Sequence, residues 1–208
     1  MSLLLDWYGN WLAVSVSVVL VSAFLIAFIR PVKRADWSSL GLLEAFIVSL
    51  FSEMFGIPLT IYFLSSFLGL PLTPGPSQGH LLAALLALVG VWSLETGVVV
   101  VMGISIAILF LAIYLVSEGW REVYGANGEL VTTKLYRVVR HPEYLGILLA
   151  SLAFLIQWPT IPTLVMSPIL LVAYYKLAKR EERELEAKFG DSYRSYELKV
   201  PMMIPLPR

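Results

Sequence analysis

The sequence of 208 residues contains no cysteine and only two histidines, His80 and His141. Without cysteine, disulfide bonds, thiolate nucleophiles and cysteine-based metal sites are excluded. The two histidines lie far apart and no H-E-x-x-H motif occurs, so we predict no metal site. Charged residues make up only 14% of the chain, against roughly 25% in soluble domains. We expect no nucleic-acid partner.

Apolar residues are abundant instead. They make up 58% of the chain, and the mean hydropathy is +0.79. This composition predicts an all-α integral membrane protein. Transmembrane helices need about 20 mostly apolar residues, and five segments approach or exceed that length: Trp11 to Ile29, Leu40 to Leu70, Gly97 to Glu118, Pro142 to Trp158 and Pro162 to Lys179.

A sixth apolar segment, His80 to Trp92, is only about 13 residues long, which suits a segment that does not cross the bilayer. The 15 lysines and arginines support this interpretation. They fall in three groups, at 30–34, at 121–140 and from 176 onward. If residues 80–92 do not cross, all three groups lie on one side, as the positive-inside rule requires. We therefore expect five spans, an external N-terminus and a helical cytoplasmic tail, in a membrane of prokaryotic plasma-membrane type.

Glu53 falls near the middle of the second predicted span. An ionisable residue at that depth is a functional candidate by default, although a hydrogen bond to Tyr62 or Ser49 would explain it structurally. As a catalytic group it could accept a proton from an amine substrate. It could equally be the site of a small membrane transporter, the non-enzymatic alternative, since Gly56-Ile57-Pro58 interrupts the helix nearby.

The stretch from Tyr136 to Gly146 reads Tyr-Arg-Val-Val-Arg-His-Pro-Glu-Tyr-Leu-Gly. Pro142 suits the first turn of a helix, whose free N–H groups and positive dipole end form an anion site. The last two predicted spans have similar lengths and a short Pro-bounded turn, so they should pair as an antiparallel hairpin. His141 would then lie beside Glu181 and Glu182. A zwitterionic amino acid group, such as that of S-adenosylmethionine, would fit between them.

The C-terminal half carries a family resemblance in several blocks: Gly128-Glu129-Leu130-Val131, Leu135 to Gly146, Glu181-Glu182, Phe189-Gly190-Asp191-Ser192-Tyr193, Tyr196 and Val200-Pro201. These blocks resemble the isoprenylcysteine carboxyl methyltransferase family and its phospholipid methyltransferase relatives. The resemblance implies a membrane methyltransferase that uses S-adenosylmethionine and releases S-adenosylhomocysteine. It also implies a core at 97–208 that binds the cofactor, with 1–96 on the substrate side.

The cofactor residues follow from the same resemblance and from the hairpin. Arg140 is also the main catalytic candidate. The acceptor would be a lipid or a lipidated small molecule, with an amino phospholipid as the alternative to a carboxyl group. The expected cofactor residues are Leu130, Val131, Tyr136, Arg140, His141, Tyr144, Leu145, Gly146, Glu181 and Glu182.

Overall fold

The computed structural model describes residues 8–29, 34–72, 79–126 and 128–205. All secondary structure in these ranges is helical, so the predicted all-α class is confirmed. The basic residues Arg30, Lys33 and Arg208 lie outside the described ranges. The helices are α1 (Trp11–Ile29), α2 (Arg34–Phe51), α3 (Leu59–Leu68), α4 (Leu81–Leu88), α5 (Leu94–Gly125), α6 (Pro142–Gln157), α7 (Ile161–Phe189) and α8 (Asp191–Glu197).

Three helical segments are long and apolar enough to cross a membrane: Trp37–Gly56, α5 and α7. Helices α1 and α6 are apolar but shorter, and the 16 residues of α6 extend over about 24 Å. The structure therefore supports three membrane-spanning helices within the described ranges, and the prediction of five spans is not confirmed. Helix α4 has eight residues, or about 12 Å, which is too short to cross, as expected for residues 80–92.

The predicted span from Leu40 to Leu70 is wrong as a single element. Helix α2 continues into a π-helical turn, Ser52–Gly56, and the chain then breaks before α3 begins at Leu59. The break occurs at Pro58, which has no N–H to continue a helix. Glu53 Oε2 accepts a hydrogen bond from the Thr60 N–H at 3.0 Å. Glu53 therefore caps α3, whereas the sequence suggested a bond to Tyr62 or Ser49.

Helices α5 and α6 form the most extensive helix pair and run antiparallel. The Ser105 hydroxyl on α5 donates to the Ala153 carbonyl on α6 at 2.8 Å. Farther along, Gly146 lies directly against the backbone of α5. A Cβ at this position would come within 2.7 Å of Val116 Cγ2 and 2.8 Å of the Ala112 carbonyl oxygen. Glycine is therefore what allows the two backbones to approach this closely.

Helices α6 and α7 are joined by a short turn, as the Pro-bounded spacing predicted. Thr160 caps α7 by accepting a hydrogen bond from the Thr163 N–H. Helix α7 continues without interruption from the apolar region into the polar tail. It ends at Gly190, whose positive φ of 55° and N–H bond to the Glu186 carbonyl cap the helix.

The C-terminal segment folds back onto the start of α6. The N–H groups of Arg140 and His141 donate to the carbonyls of Pro201 and Met202, at 2.9 and 3.0 Å. Helix α6 therefore has two distinguishable ends. We call them the His141 end, which the tail covers, and the Trp158 end, where the turn to α7 lies.

Replacing Gly146 by alanine should destabilise the protein, because the added methyl group would force α5 and α6 apart. Overpacking of this kind costs about 1–3 kcal/mol. Thermal unfolding in detergent would measure the loss. The matched control is Gly103→Ala on α5, where a Cβ would meet nothing within 4 Å. Equal unfolding temperatures for the two variants would contradict the close approach.

Candidate functional site

The His141 end of the helix pair α6 and α7 gathers a group of ionisable side chains, and the predicted neighbours meet there. The Tyr144 hydroxyl donates to Glu181 Oε1 at 2.5 Å. The His141 ring lies between two carboxylates, with Nδ1 at 3.7 Å from Glu181 Oε2 and Nε2 at 3.6 Å from Glu182 Oε1. We call the following residues the charged cluster: Arg140, His141, Glu143, Tyr144, Lys179, Glu181, Glu182 and Glu197.

Arg140 is the most heavily bonded member of the charged cluster, and its side chain is almost fully buried. Nε donates to Glu182 Oε1 at 2.7 Å, and Nη2 lies 2.5 Å from the same oxygen. Nη1 donates to the carbonyls of Glu197 and Val200, and Nη2 also reaches Glu197 Oε1 at 3.3 Å. All five N–H groups of the guanidinium therefore face protein oxygens. Arg140 joins α7 to the C-terminal tail.

His141 precedes the first turn of α6 and is buried. Burial alone would lower the pKa of its imidazole. However, the carboxylates of Glu143, Glu182 and Glu181 lie close to the ring and favour its charged form. Together they raise the pKa to about 9. The ring also stacks on Tyr144, with centroids 5.5 Å apart. At neutral pH, His141 is therefore a buried cation among carboxylates.

Glu143, which the sequence analysis left out of the site, completes this environment. Its Oε1 lies 3.4 Å from His141 Nδ1, and its Oε2 accepts from the Tyr136 hydroxyl at 2.8 Å. Within the described ranges, His141, Glu143 and Glu181 place potential ligand atoms within 4.8 Å of one another. This donor set could hold a divalent cation. The sequence argument considered histidines and cysteines and did not foresee it.

A second group of predicted residues lines a small neighbouring pocket of about 100 Å³. Leu130, Val131, Tyr136 and Arg140 share its wall with Tyr193. The Tyr196 hydroxyl donates to the Tyr136 carbonyl at 2.6 Å and closes one side. The Tyr193 hydroxyl is buried and has no hydrogen-bond partner among the described residues. The predicted cofactor residues therefore divide between this pocket and the charged cluster.

Two of the predicted residues have other surroundings. Gly146 contacts α5 and serves helix packing. Glu53 lies at the Trp158 end, because Thr60, which donates to Glu53, also accepts from the N–H of Ile161 at the start of α7. The length of α6, about 24 Å, separates that end from His141. The structure does not bring Glu53 to the charged cluster. Leu145 is partly buried on the first turns of α6.

An apolar cavity of about 290 Å³ lies between α1, α2, α5 and α6. Its lining includes Leu25, Phe46, Val116, Ile147 and Phe154. Ser151 also lines the cavity, and its hydroxyl donates to the Ile147 carbonyl. Val116 and Ile147 belong to the same packed core as Tyr144 of the charged cluster. The cavity was not predicted, because a space between four helices depends on how they pack and leaves no local pattern in the sequence.

The sequence analysis also missed Lys179, Glu197 and Tyr193. Lys179 donates to Glu182 Oε2 at 2.9 Å, and its spacing of three residues from Glu182 on a helix was a usable signal. Glu197 and Tyr193 reach the site only because the tail folds back. Their contacts are long-range. Tyr193 belongs to the family-like block from Phe189 to Tyr193, which was a usable signal, whereas the sequence carries no local signal for Glu197.

Residues 96–192 match a protein-family model described as phospholipid methyltransferase. Methanethiol S-methyltransferase 2 of Bradyrhizobium diazoefficiens is 40% identical over 79 residues, covering 36% of this chain and 28% of that protein. Protein-S-isoprenylcysteine O-methyltransferase of Schizosaccharomyces pombe is 38% identical over 78 residues, covering 37% and 33%. No solved structure matches the chain at a comparable level.

Methanethiol S-methyltransferase of Pseudomonas deceptionensis is 32% identical over 88 residues, covering 42% of this chain and 33% of that protein. The chain thus spans a third or less of the length of these three relatives. The sequence resembled two families, and both are found in these comparisons. The phospholipid methyltransferases are the matching family model, and the isoprenylcysteine methyltransferases are represented by the yeast relative. The matched segment includes the start of α6 and the Glu181-Glu182 pair. Residues 96–192 are therefore similar to the phospholipid methyltransferase family.

Proposed function

We propose that the protein transfers a methyl group from S-adenosylmethionine to a lipophilic acceptor at a membrane surface. The observation that carries this proposal is the charged cluster at the His141 end. With His141 protonated, its cations are Arg140, His141 and Lys179, and its anions are Glu143, Glu181, Glu182 and Glu197. The anions outnumber the cations by one, so the cluster suits a ligand with one net positive charge. S-adenosylmethionine, with a sulfonium, an ammonium and a carboxylate, has that charge.

Different residues of the site would bind different groups of the cofactor. The Glu181 carboxylate is only partly buried, so we infer that it accepts from the ammonium group, with Glu182 behind it. The imidazolium of His141 suits the carboxylate, because Nε2 is buried and has no hydrogen bond within the described part of the chain. Arg140 has no donor left over, so we assign it a positioning role: it fixes Glu182 and the tail. Leu130, Val131 and Tyr136 would lie against the adenine.

When bound, S-adenosylmethionine supplies an electrophilic methyl group on a sulfonium. The protein therefore needs little acid-base chemistry, and positioning and exclusion of water are its main tasks. The cover formed by the tail over the start of α6 serves both purposes. Glu53, which lies at the opposite end of α6 and caps α3 through Oε2, has no part in the proposed step.

The apolar cavity supports a lipophilic acceptor. Val116 on α5 lines the cavity. Trp120 lies one turn farther along α5, closer to the His141 end, and packs on the core that contains Tyr144. The indole Nε1–H of Trp120 is buried without a partner among the described residues, so it could hold a polar head group. Helices α1 and α2 supply half of the lining, which agrees with a substrate side in residues 1–96.

We propose a cytoplasmic location for the charged cluster, because the basic residues at 121–140 and from 176 onward adjoin it. A carboxyl group is the proposed acceptor, by analogy with the isoprenylcysteine methyltransferase named among the relatives. An amino phospholipid is the alternative suggested by the name of the family model. The proposal needs no metal ion, so EDTA should leave cofactor binding unchanged.

Replacing Glu181 by glutamine should weaken binding of S-adenosylhomocysteine by about tenfold to a hundredfold, because a charge-assisted hydrogen bond to the ammonium is lost. Isothermal calorimetry on the detergent-solubilised protein measures this. Glu184→Gln is the control, since Glu184 is exposed and pairs with Arg180 at 3.6 Å. No binding by the unaltered protein would sink the proposed function. Equal affinities for the two variants would remove Glu181 from the site.

The stability of the ligand-free protein should decrease as pH rises from 6.5 to 9. The folded-state pKa of His141 is about 9, above its ordinary value of 6.5. The stabilisation is therefore complete below pH 6.5 and is lost as pH rises through about 9, and it amounts to something on the order of 3 kcal/mol. Thermal unfolding at successive pH values measures it. His141→Gln should flatten the profile, and parallel profiles would contradict a charged His141.

Filling the apolar cavity should block the acceptor and spare the cofactor. In Ala150→Phe, the new ring would occupy the cavity that Ala150 lines. Membranes containing this variant and isotopically labelled S-adenosylmethionine should yield less than a tenth of the labelled lipid product by mass spectrometry, a loss of more than ~1.4 kcal/mol of acceptor binding. Affinity for S-adenosylhomocysteine should not change.

The control for this experiment is Ala107→Phe, which adds the same ring to an exposed position on α5. It should leave labelling intact. If both variants label lipids as well as the unaltered protein does, the cavity is not the acceptor site.

A further inference from the structure

Glu122, on the last turn of α5, has an unsatisfied carboxylate. Both side-chain oxygens are inaccessible to water, and neither has a hydrogen-bond partner within the ranges that the structure describes. Most buried polar atoms in proteins are paired, and burying a carboxylate without partners costs several kcal/mol. The two oxygens of Glu122 therefore need hydrogen-bond donors that the described part of the protein does not supply.

Glu122 lies at the wall of an open cavity of about 360 Å³. The other wall is the loop at 129–134, which the Lys188 side chain holds in place by donating to the Gly128 carbonyl at 2.6 Å. At the rim, Lys134 has a positive φ of 45°. This backbone conformation is unfavourable for lysine, and strain of this kind is concentrated at binding sites.

The open cavity and the proposed cofactor site share lining residues. Glu129, Leu130 and Val131 line both this cavity and the smaller pocket of Tyr136 and Tyr193. Glu122 also lies near Tyr136: burial, then Glu143, and to a smaller extent Glu122 raise the pKa of the Tyr136 hydroxyl. Glu122 therefore shares a cavity with Leu130 and Val131, the residues that would contact a nucleoside.

We propose that the Glu122 carboxylate binds the vicinal hydroxyl groups of the cofactor ribose. An ionised carboxylate only accepts hydrogen bonds, and its two parallel oxygens match two adjacent O–H donors. Carboxylates bind ribose hydroxyls in the same way in dinucleotide sites. The two hydroxyls supply the two donors that Glu122 lacks. This inference rests on the proposed function, since it assumes that the ligand at 129–131 is an adenosyl group.

The amino acid end and the nucleoside end of the cofactor are then held by different carboxylates. Glu181 and Glu182 lie on α7 and recognise charge. Glu122 lies on α5 and recognises hydroxyl groups. Loss of either should weaken binding, but only Glu122 should distinguish a ribose from a deoxyribose.

The test compares S-adenosylhomocysteine with its 2′-deoxy analogue by calorimetry on the full chain in detergent. The unaltered protein should bind the analogue at least about tenfold more weakly, as expected for a lost hydrogen bond to a charged group. In Glu122→Gln, affinity for S-adenosylhomocysteine should fall by a similar factor, and the two ligands should bind almost equally. Glu129→Gln, on the exposed wall of the same cavity, should preserve the discrimination.

Each outcome decides a separate point. If the unaltered protein binds both ligands equally, Glu122 does not bind the ribose, whatever the variant does. The same conclusion follows if Glu122→Gln unfolds at a higher temperature and keeps full affinity and discrimination, since the carboxylate would then be a buried structural group. If the unaltered protein binds neither ligand, the proposed function is overturned as well.

Discussion

The buried guanidinium of Arg140 is the interaction on which the rest of the site depends. One side chain bonds to the carboxylate of Glu182 on α7 and to the carbonyls of Glu197 and Val200 in the tail. A buried arginine without partners would be strongly destabilising, so the positions of α7 and the tail are coupled. The backbone bonds from Arg140 and His141 to Pro201 and Met202 strengthen the same connection. Formation of the charged cluster and closure of the tail are thus parts of one event.

The elements with regular local patterns were predictable from the sequence. Apolar run lengths identified α1, α5, α6 and α7, and Pro142 and Gly190 marked the start of α6 and the end of α7. The juxtaposition of His141 with Glu181 followed from two helices of similar length and a short turn. In each case the cause lies within a few residues of the effect, so the sequence is sufficient.

Features that depend on long-range contacts could not be predicted in this way. Glu53 looked like a membrane-buried functional residue, but it caps a helix that starts six residues later, after a π-helical turn that composition does not reveal. The tail residues Tyr193 and Glu197 reach the site only through a reversal of the chain. No local pattern in the sequence marks Glu122, whose two buried oxygens have no partner among the described residues.

The close contact of Gly146 with Ala112 and Val116 has a consequence for the proposed acceptor. It makes α5 and α6 one rigid wall, whereas α1 contacts α5 much less extensively. The seam between α1 and α5 is therefore the less tightly packed side of the apolar cavity, and it is the side by which the proposed lipophilic acceptor would enter from the bilayer. An acceptor that uses this seam diffuses in two dimensions, so the turnover rate would follow its mole fraction among the membrane lipids and not its concentration in water.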